Sequence, residues 1–466
     1  MKRIKTIGIL VIIFSVLTFN PAICRAYAIP QAAMDEAQFK VIGYYSGDLF
    51  NEPVEKLQTD KMTHVIYAFL LPQENGTLVD LEKPEQLKQL VTQAHNDGTK
   101  VFIALGGWSY LGQPLAPVFE SVAASQEKSK LLIDNICALA EEYDLDGVEL
   151  DWEFPNPNSI ADYERLVVDL KIALDSQGKE LTAALNGAWS ATEAPEASKL
   201  ITDACLNSFN FINVMAYDMN NEDHSPIWFA ETSINYWLNR GIPADKIVVG
   251  MPLYARPSWL QYRNLVAHNP QNAYEDYAPT VPLESYYNGL NTLREKTVIA
   301  LKKAGGVMLF DINEDTEDET SVISMIDKLL TRTAHLSKDE LNKYITIIID
   351  NRELVFLEAD GYGVPFFDEN NRTLIPLRKP LEAIGATVSY DNIKRIVSVE
   401  KAGTIVNVPI GENIINVNDQ EVAIDTKSII KDDRTYIPLR AVLTAFGCDI
   451  VWHGNSTTIL VVRGTG

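Results

Sequence analysis

Eight short apolar runs punctuate the first two thirds of the chain: Val41–Tyr45, His64–Phe69, Val101–Leu105, Gly147–Leu150, Leu181–Leu185, Phe211–Met215, Ile247–Met251 and Gly306–Phe310. Most are nearly uninterrupted, as parallel strands covered on both faces are. Longer stretches lie between them, with apolar residues at helical spacing; Leu132, Ile136, Leu139 and Tyr143 are one such set. Strands and helices alternating in this way predict an α/β fold, a (β/α)8 TIM barrel over residues 36–333. A doubly wound open sheet would carry a Gly-rich phosphate loop after its first strand, and none follows Val41–Tyr45.

The segment Thr331 to Lys343 is polar and reads as a helix end and linker. Beyond it, short β-like runs alternate with Asn, Asp and Gly turns such as Asp368-Glu369-Asn370-Asn371. Arg372-Thr373-Leu374-Ile375-Pro376-Leu377-Arg378 recurs as Arg434-Thr435-Tyr436-Ile437-Pro438-Leu439-Arg440, an offset of 434 − 372 = 62 residues. The likeness continues through Leu381/Leu443, Ala383/Ala445 and Gly385/Gly447. Each copy predicts a strand, a short helix and a second strand (Ala386–Tyr390, Cys448–Trp452). A smaller α+β domain of two repeats is therefore expected over 345–464.

Composition narrows the class. The 466 residues are 46% hydrophobic and 22% charged, a globular balance with room for more than one folded unit. A net charge of −23 argues against nucleic acid and anionic membrane surfaces as partners and leaves neutral polysaccharide open. Lys2, Arg3 and Lys5, the apolar run Ile7 to Phe19 and Ala26-Tyr27-Ala28 read as an export signal over 1–28, with an uncleaved anchor as the alternative. A secreted protein, with no membrane attachment after cleavage, is the expectation. Ile23 before Cys24 is too large for a lipidation site. Cys137, Cys205 and Cys448 then remain, an odd and widely spaced set read as small buried hydrophobes, with a Cys137–Cys205 bridge left open. No cofactor or metal is expected.

The chemistry concentrates in Asp146-Gly147-Val148-Glu149-Leu150-Asp151-Trp152-Glu153. Side chains on a strand alternate faces, so Glu149, Asp151 and Glu153 share one face and Val148, Leu150 and Trp152 the other. In a barrel the apolar face meets the helices. The three carboxyls then rise inside toward the C-terminal mouth, where barrel enzymes place their sites. Crowded like charges raise at least one pKa, the property a general acid for a glycosidic oxygen needs.

Asp146 to Glu153 resembles the D-G-x-D-x-D-x-E signature of glycoside hydrolase family 18, the chitinases and their relatives, with Glu149 where an Asp is usual. Further likenesses occur in order: Tyr44 on the first strand, Gly106-Gly107-Trp108 after the third, Met215-Ala216-Tyr217-Asp218 after the sixth, Tyr254-Ala255-Arg256 after the seventh, and Gly305-Gly306-Val307-Met308 leading the eighth. In that family the substrate's own acetamide is the nucleophile. The resemblance implies catalytic roles for Glu153 (acid, then base), Asp151 (holding the acetamido N–H) and Tyr217 (bonding the acetamido oxygen), with Glu149 behind them. It implies substrate contacts from Tyr44, Gly107, Trp108, Met215, Asp218, Tyr254, Arg256 and Phe310.

Two departures stand out. Phe310 takes the place of a strand-eight Trp, and Ala104 that of a Ser. Ala104 should face the interior beside strand four, so that the longer Glu149 fills the vacated volume and shares a proton with Asp151. Trp228, Trp259 and Tyr262 are further candidate subsite rings. The short interval between Tyr254 and Gly305 leaves no room for an extra domain and implies an open groove with internal chain cutting.

The repeated region resembles the domain named after the N-terminus of copper amine oxidases; its single His453 and Cys448 make no metal set. Cell-wall association and a spacer role both stand for it. The expected activity is a retaining β-1,4 cleavage at N-acetylglucosamine in chitin or a chitin-like wall glycan. Alternatives are a peptidoglycan, spore-cortex or N-glycan endo-N-acetylglucosaminidase, and a non-catalytic chitin-binding lectin on the same fold.

Overall fold

The eight apolar runs become eight parallel strands that close on themselves. The computed structural model describes residues 38–47, 52–220, 222–280 and 283–463, so the expected export signal lies outside the described residues. The strands are β1 (Lys40–Ser46), β2 (His64–Leu70), β3 (Lys100–Gly106), β4 (Gly147–Asp151), β5 (Glu180–Asn186), β6 (Ile212–Met215), β7 (Ile247–Pro252) and β8 (Gly306–Phe310). β1 pairs with both β2 and β8, which completes the barrel. The inward residues Ile42, Ile66, Phe102, Val248 and Met308 fill its interior. Val148, Leu150 and Trp152 point outward into the larger core between strands and helices, where Trp152 stacks on Phe119 with ring centroids 5.0 Å apart.

The outer layer contains α1 (Pro84–Asn96), α2 (Gln126–Glu142), α3 (Ile160–Ser176), α4 (Asp203–Ser208), α5 (Ile227–Asn239), α6 (Leu290–Lys303) and α7 (Val322–Thr333). Their starts are chemical: the Ser125 side chain accepts from the Lys128 N–H at α2, and Ser321 from the Ser324 N–H at α7. The segment read as a linker holds a further short helix, Lys338–Asn342, set by a Ser337/Glu340 capping box. Between β7 and α6 lie a seven-residue helix, Tyr262–His268, and a hairpin pairing Tyr277–Ala278 with Ser285–Tyr286. Cys137, Cys205 and Cys448 are free and buried, so the Cys137–Cys205 bridge is not made.

The C-terminal region is three small sheets around its own core. The repeated strands Thr373–Pro376 and Arg434–Pro438 pair antiparallel, with Ile375 opposite Ile437. Since 437 − 375 = 62 matches the repeat offset, Ile375 faces its own counterpart, and the exchanged pairs on either side, Leu374 with Pro438 and Pro376 with Tyr436, are those of a local two-fold axis through that position. Each strand runs into a short helix, Arg378–Ala383 or Leu439–Ala445. Gly385 (φ 80°) and Gly447 (φ 74°) end those helices in the left-handed conformation that suits glycine.

Helix α6 shows how the two parts join. Its polar residues Arg294, Glu295, Lys296 and Lys302 are all buried: Lys296 turns into the barrel side, and the C-terminal region covers the outer face that carries the other three. Arg294 and Arg332 both pair with Glu353, with Arg294 Nε 3.0 Å from its carboxylate. Glu295 accepts from His453 Nδ1 at 2.8 Å and from the Ser456 hydroxyl at 2.9 Å. Lys302 Nζ donates to Thr457 Oγ1 at 2.7 Å. Replacing Glu353 by Ala leaves the buried Arg294 guanidinium and the half-buried Arg332 one without this counter-ion. Glu353→Ala should therefore lose about 3–5 kcal/mol of stability in urea unfolding, with both parts unfolding earlier.

Candidate active site

Burial decides the state of the β4 carboxyls. Glu149 is fully buried, and its two oxygens are shared among three strands. The Tyr44 hydroxyl on β1 donates to Oε1 at 2.5 Å, and Asn213 Nδ2 on β6 donates to both oxygens at 2.9 and 3.1 Å. The Thr182 hydroxyl on β5 donates to Oε2. Ala104 and Thr182 are the registered neighbours of Glu149, so Ala104 lies inside the barrel beside it, where the sequence placed it. The expected proton sharing with Asp151 is not found. Glu149 has no hydrogen bond to Asp151 among the described residues, because Tyr44, Thr182 and Asn213 already claim its oxygens. Being sealed from solvent, Glu149 is a positioning group rather than one that meets substrate.

β4 ends at Asp151, whose carbonyl accepts the Gly107 N–H at 2.8 Å. Gly106 has φ 120°, and a Cβ there would sit 2.3 Å from that carbonyl, so only glycine lets β3 close on β4. Gly107 thus contributes its backbone to the site's frame. Asp151 is buried and its Oδ1 has no partner in the protein. Glu153 lies two residues past the strand, half-buried. Burial, then Glu153 and Glu149, push Asp151 well above its ordinary value. Burial and Asp218 raise Glu153 to about 7, and burial raises Glu149 to about 7 against its hydrogen bonds.

The wall opposite is aromatic. Tyr217 stacks over Phe310 with centroids 6.3 Å apart and meets the Tyr254 ring edge-on at 6.2 Å. Phe310 also contacts Tyr44 at 5.5 Å. Tyr44 and Tyr254 are buried, while Met215, Tyr217 and Phe310 remain half-buried. Asp218 has φ 59° and accepts from Arg256 Nε at 2.7 Å. Burial pushes the Asp218 carboxyl up, but bonds from His224 and Tyr254 and the Arg256 charge outweigh it and hold it low. Arg256 stacks 3.7 Å over Trp259, which is exposed, as is Trp108 after β3.

Two candidate rings lie elsewhere. Tyr262 is core, its hydroxyl bonded to the Thr320 carbonyl at 2.8 Å. Trp228 stands on α5 at the seam with the C-terminal region. Thr182 and Asn213 were missed because neither belongs to a recognisable motif. Lys296 was missed as well. Its buried ammonium donates to the Ser225 carbonyl at 2.5 Å, the Ser225 hydroxyl at 2.7 Å and Asn288 Oδ1 at 2.6 Å. The Ser225 hydroxyl in turn donates to the Ala216 carbonyl at 2.7 Å, beside Tyr217. Exposed Trp189, just past β5, was also passed over.

The sequence model for glycosyl hydrolases family 18 matches residues 40–315, the whole barrel with this site inside it. The chain belongs to that family. The model of the copper amine oxidase N-terminal domain matches residues 358–461. A probable endochitinase of Caenorhabditis elegans is 31% identical over 194 residues, 37% of this chain and 30% of that one. Chitotriosidase-1 of Mus musculus is 29% identical over 227 residues, 42% of this chain and 47% of that one. The crystal structure of the family 18 chitinase ChiB from the chitin utilization locus of Flavobacterium johnsoniae superposes with a TM-score of 0.55 at 26% identity. That match covers 63% of this chain and 94% of the other. The chain spans less than two thirds of the length of the curated relatives it matches, from 12% to 62%.

Glu149→Ala should cost about 3–5 kcal/mol, since it leaves the Tyr44, Thr182 and Asn213 donors unpaired around a void. Glu149→Gln, which keeps the volume, should recover most of that. A carboxyl raised in the folded state stabilises the fold at acid pH and loses that contribution as pH rises through its folded value. The parent's stability should therefore decline as pH climbs toward about 7, and Glu149→Gln should flatten that decline in denaturation curves.

Proposed function

We propose that this family member is a retaining glycoside hydrolase that cleaves β-1,4 bonds at N-acetylglucosamine in chitin or a chitin-like wall glycan. The observation that carries the reading is Glu153, a half-buried carboxyl raised to about 7 at the mouth end of β4, directly beyond a buried Asp151 with a free oxygen. Glu153 gives its proton to the leaving glycosidic oxygen. The acetamido carbonyl oxygen of the substrate attacks the anomeric carbon and forms an oxazolinium ion. Asp151 accepts the acetamido N–H and offsets the positive charge, while the Tyr217 hydroxyl donates to the acetamido oxygen and aims it. Glu153, now ionised, takes a proton from the water that opens the ring and restores the β-anomer. Glu149 holds Tyr44 in the floor of this arrangement. Phe310 stacks under the sugar, with Trp108 and Trp259 as outer platforms on an open groove suited to internal cutting. The relatives' names, endochitinase and chitotriosidase, support the glycan class. Secretion and wall association belong to the same proposal.

Glu153→Gln should lower turnover of a chitin oligomer on the order of 10²–10⁴-fold while leaving binding in place. Turnover near the native rate would remove Glu153 from the mechanism. Because the acid form is required, the parent's rate should fall as pH rises through about 7. Asp218, held low, should stay ionised throughout that fall. A nucleophile supplied by the substrate also makes cellulose oligomers inert. NMR should show the β-anomer as first product; an α-anomer, or equal rates on cellulose, would contradict the scheme.

A further inference from the structure

Trp228 has no part in the mouth chemistry, yet it is 45% exposed on α5. It lines a cavity of about 470 Å³ between α5, α6 and the Gly454 turn of the C-terminal region. That size falls within the range of small-ligand sites, which favour domain seams. Asp223, on the loop that follows Asp218, lines the cavity with an exposed carboxylate. His453 and Asn455 enter from the C-terminal side. Glu295 holds His453 through Nδ1, and Nε2 makes no bond among the described residues. Asn455 donates to Glu231 and so sets its amide against the barrel. Among the described residues no lysine or arginine lines the space, and Lys303 outside it is already paired with Glu231, so an anionic ligand would meet the Asp223 carboxylate with no cation in the wall.

We propose that this seam is a second glycan site, taking a neutral pyranose segment of the polysaccharide beside the cleft. The Trp228 face covers the sugar's C–H surface, as aromatic rings do in carbohydrate recognition. Asp223 accepts from sugar hydroxyls, and His453 Nε2 completes the polar rim. Two sugar faces need both walls, so the site exists only with the C-terminal region seated on α6. The choice of a neutral glycan rests on the proposed hydrolase reading; the existence of the pocket does not.

The test uses the full chain carrying Glu153→Gln, so that the ligand persists. Oxidative footprinting read by mass spectrometry should show an N-acetylglucosamine tetramer protecting Trp228 and His453 together. A hyaluronan tetrasaccharide, which is anionic, should protect neither. Trp228→Ala should weaken the protection at His453 about tenfold or more, and Trp228→Phe by less. Trp228→Phe keeps the comparison available if the alanine variant fails to fold. Absence of protection at both residues, equal protection by hyaluronan, or unchanged His453 protection after loss of the indole would overturn the proposal. Hydrolysis of the tetramer by the unsubstituted chain is scored separately, so failure of the catalytic reading leaves the seam result standing.

Discussion

A fully buried carboxyl in the middle of a barrel must be bonded, protonated or both, and Glu149 is held by Tyr44, Thr182 and Asn213 from three other strands. Those bonds tie β1, β5 and β6 to β4 at one level of the barrel. Above that level Asp151 has a carboxyl oxygen with no protein partner, and above Asp151 lies Glu153 at the rim. Satisfaction thus decreases upward along β4. The bottom group is saturated by protein donors, the middle one has capacity for a ligand, and the top one exchanges protons near neutrality. A gradient of this kind turns three chemically similar residues into three different functions.

The sequence made the barrel legible because parallel strands buried on both faces leave nearly unbroken apolar runs, and eight such runs, a few carrying a single polar residue, mark the eight strands. The period of two on β4 sorted the carboxyls inside and Trp152 outside before any coordinates. What it could not supply was the partner list. Thr182 and Asn213 are single polar residues on apolar strands, and only the closed register brings them to Glu149. Proton sharing between Glu149 and Asp151 failed for the same reason: nearness along one strand was visible, and competition from three other strands was not. Tyr262 misled because an aromatic next to a mouth segment looks the same in sequence whether it faces sugar or core.

Helix α6 is the harder case. Leu290 to Lys303 carries Arg, Glu and three Lys residues, yet Leu290 and every residue from Thr292 to Lys302 are buried. Amphipathic periodicity reports one buried face. A helix covered on both sides by polar contacts leaves no apolar stripe on its second face, so the docking of a second domain is invisible to that signal. The 62-residue repeat announced the C-terminal region, and nothing in the repeat said where it would rest.

That docking has a mechanical consequence for the mouth. Glu295 and Lys296 are adjacent on α6 and face opposite ways in their bonding. Glu295 grips His453 and Ser456, whereas Lys296 grips Ser225 on the loop that follows Tyr217 and Asp218. Burial lowers the Lys296 ammonium to about 7 against the pull of Asp276 and Asp223. In its charged form the ammonium has three protons for three acceptors, Ser225 O, Ser225 Oγ and Asn288 Oδ1. A neutral amine has two, so one of those bonds is lost on deprotonation. One helical step therefore separates the contact that seats the C-terminal region from the contact that holds the loop after Tyr217 and Asp218. A rotation of α6 large enough to free His453 would move Nζ off Ser225 as well. The polar seam fixes that rotation more tightly than an apolar one would, since hydrogen bonds have preferred directions and dispersion contacts do not.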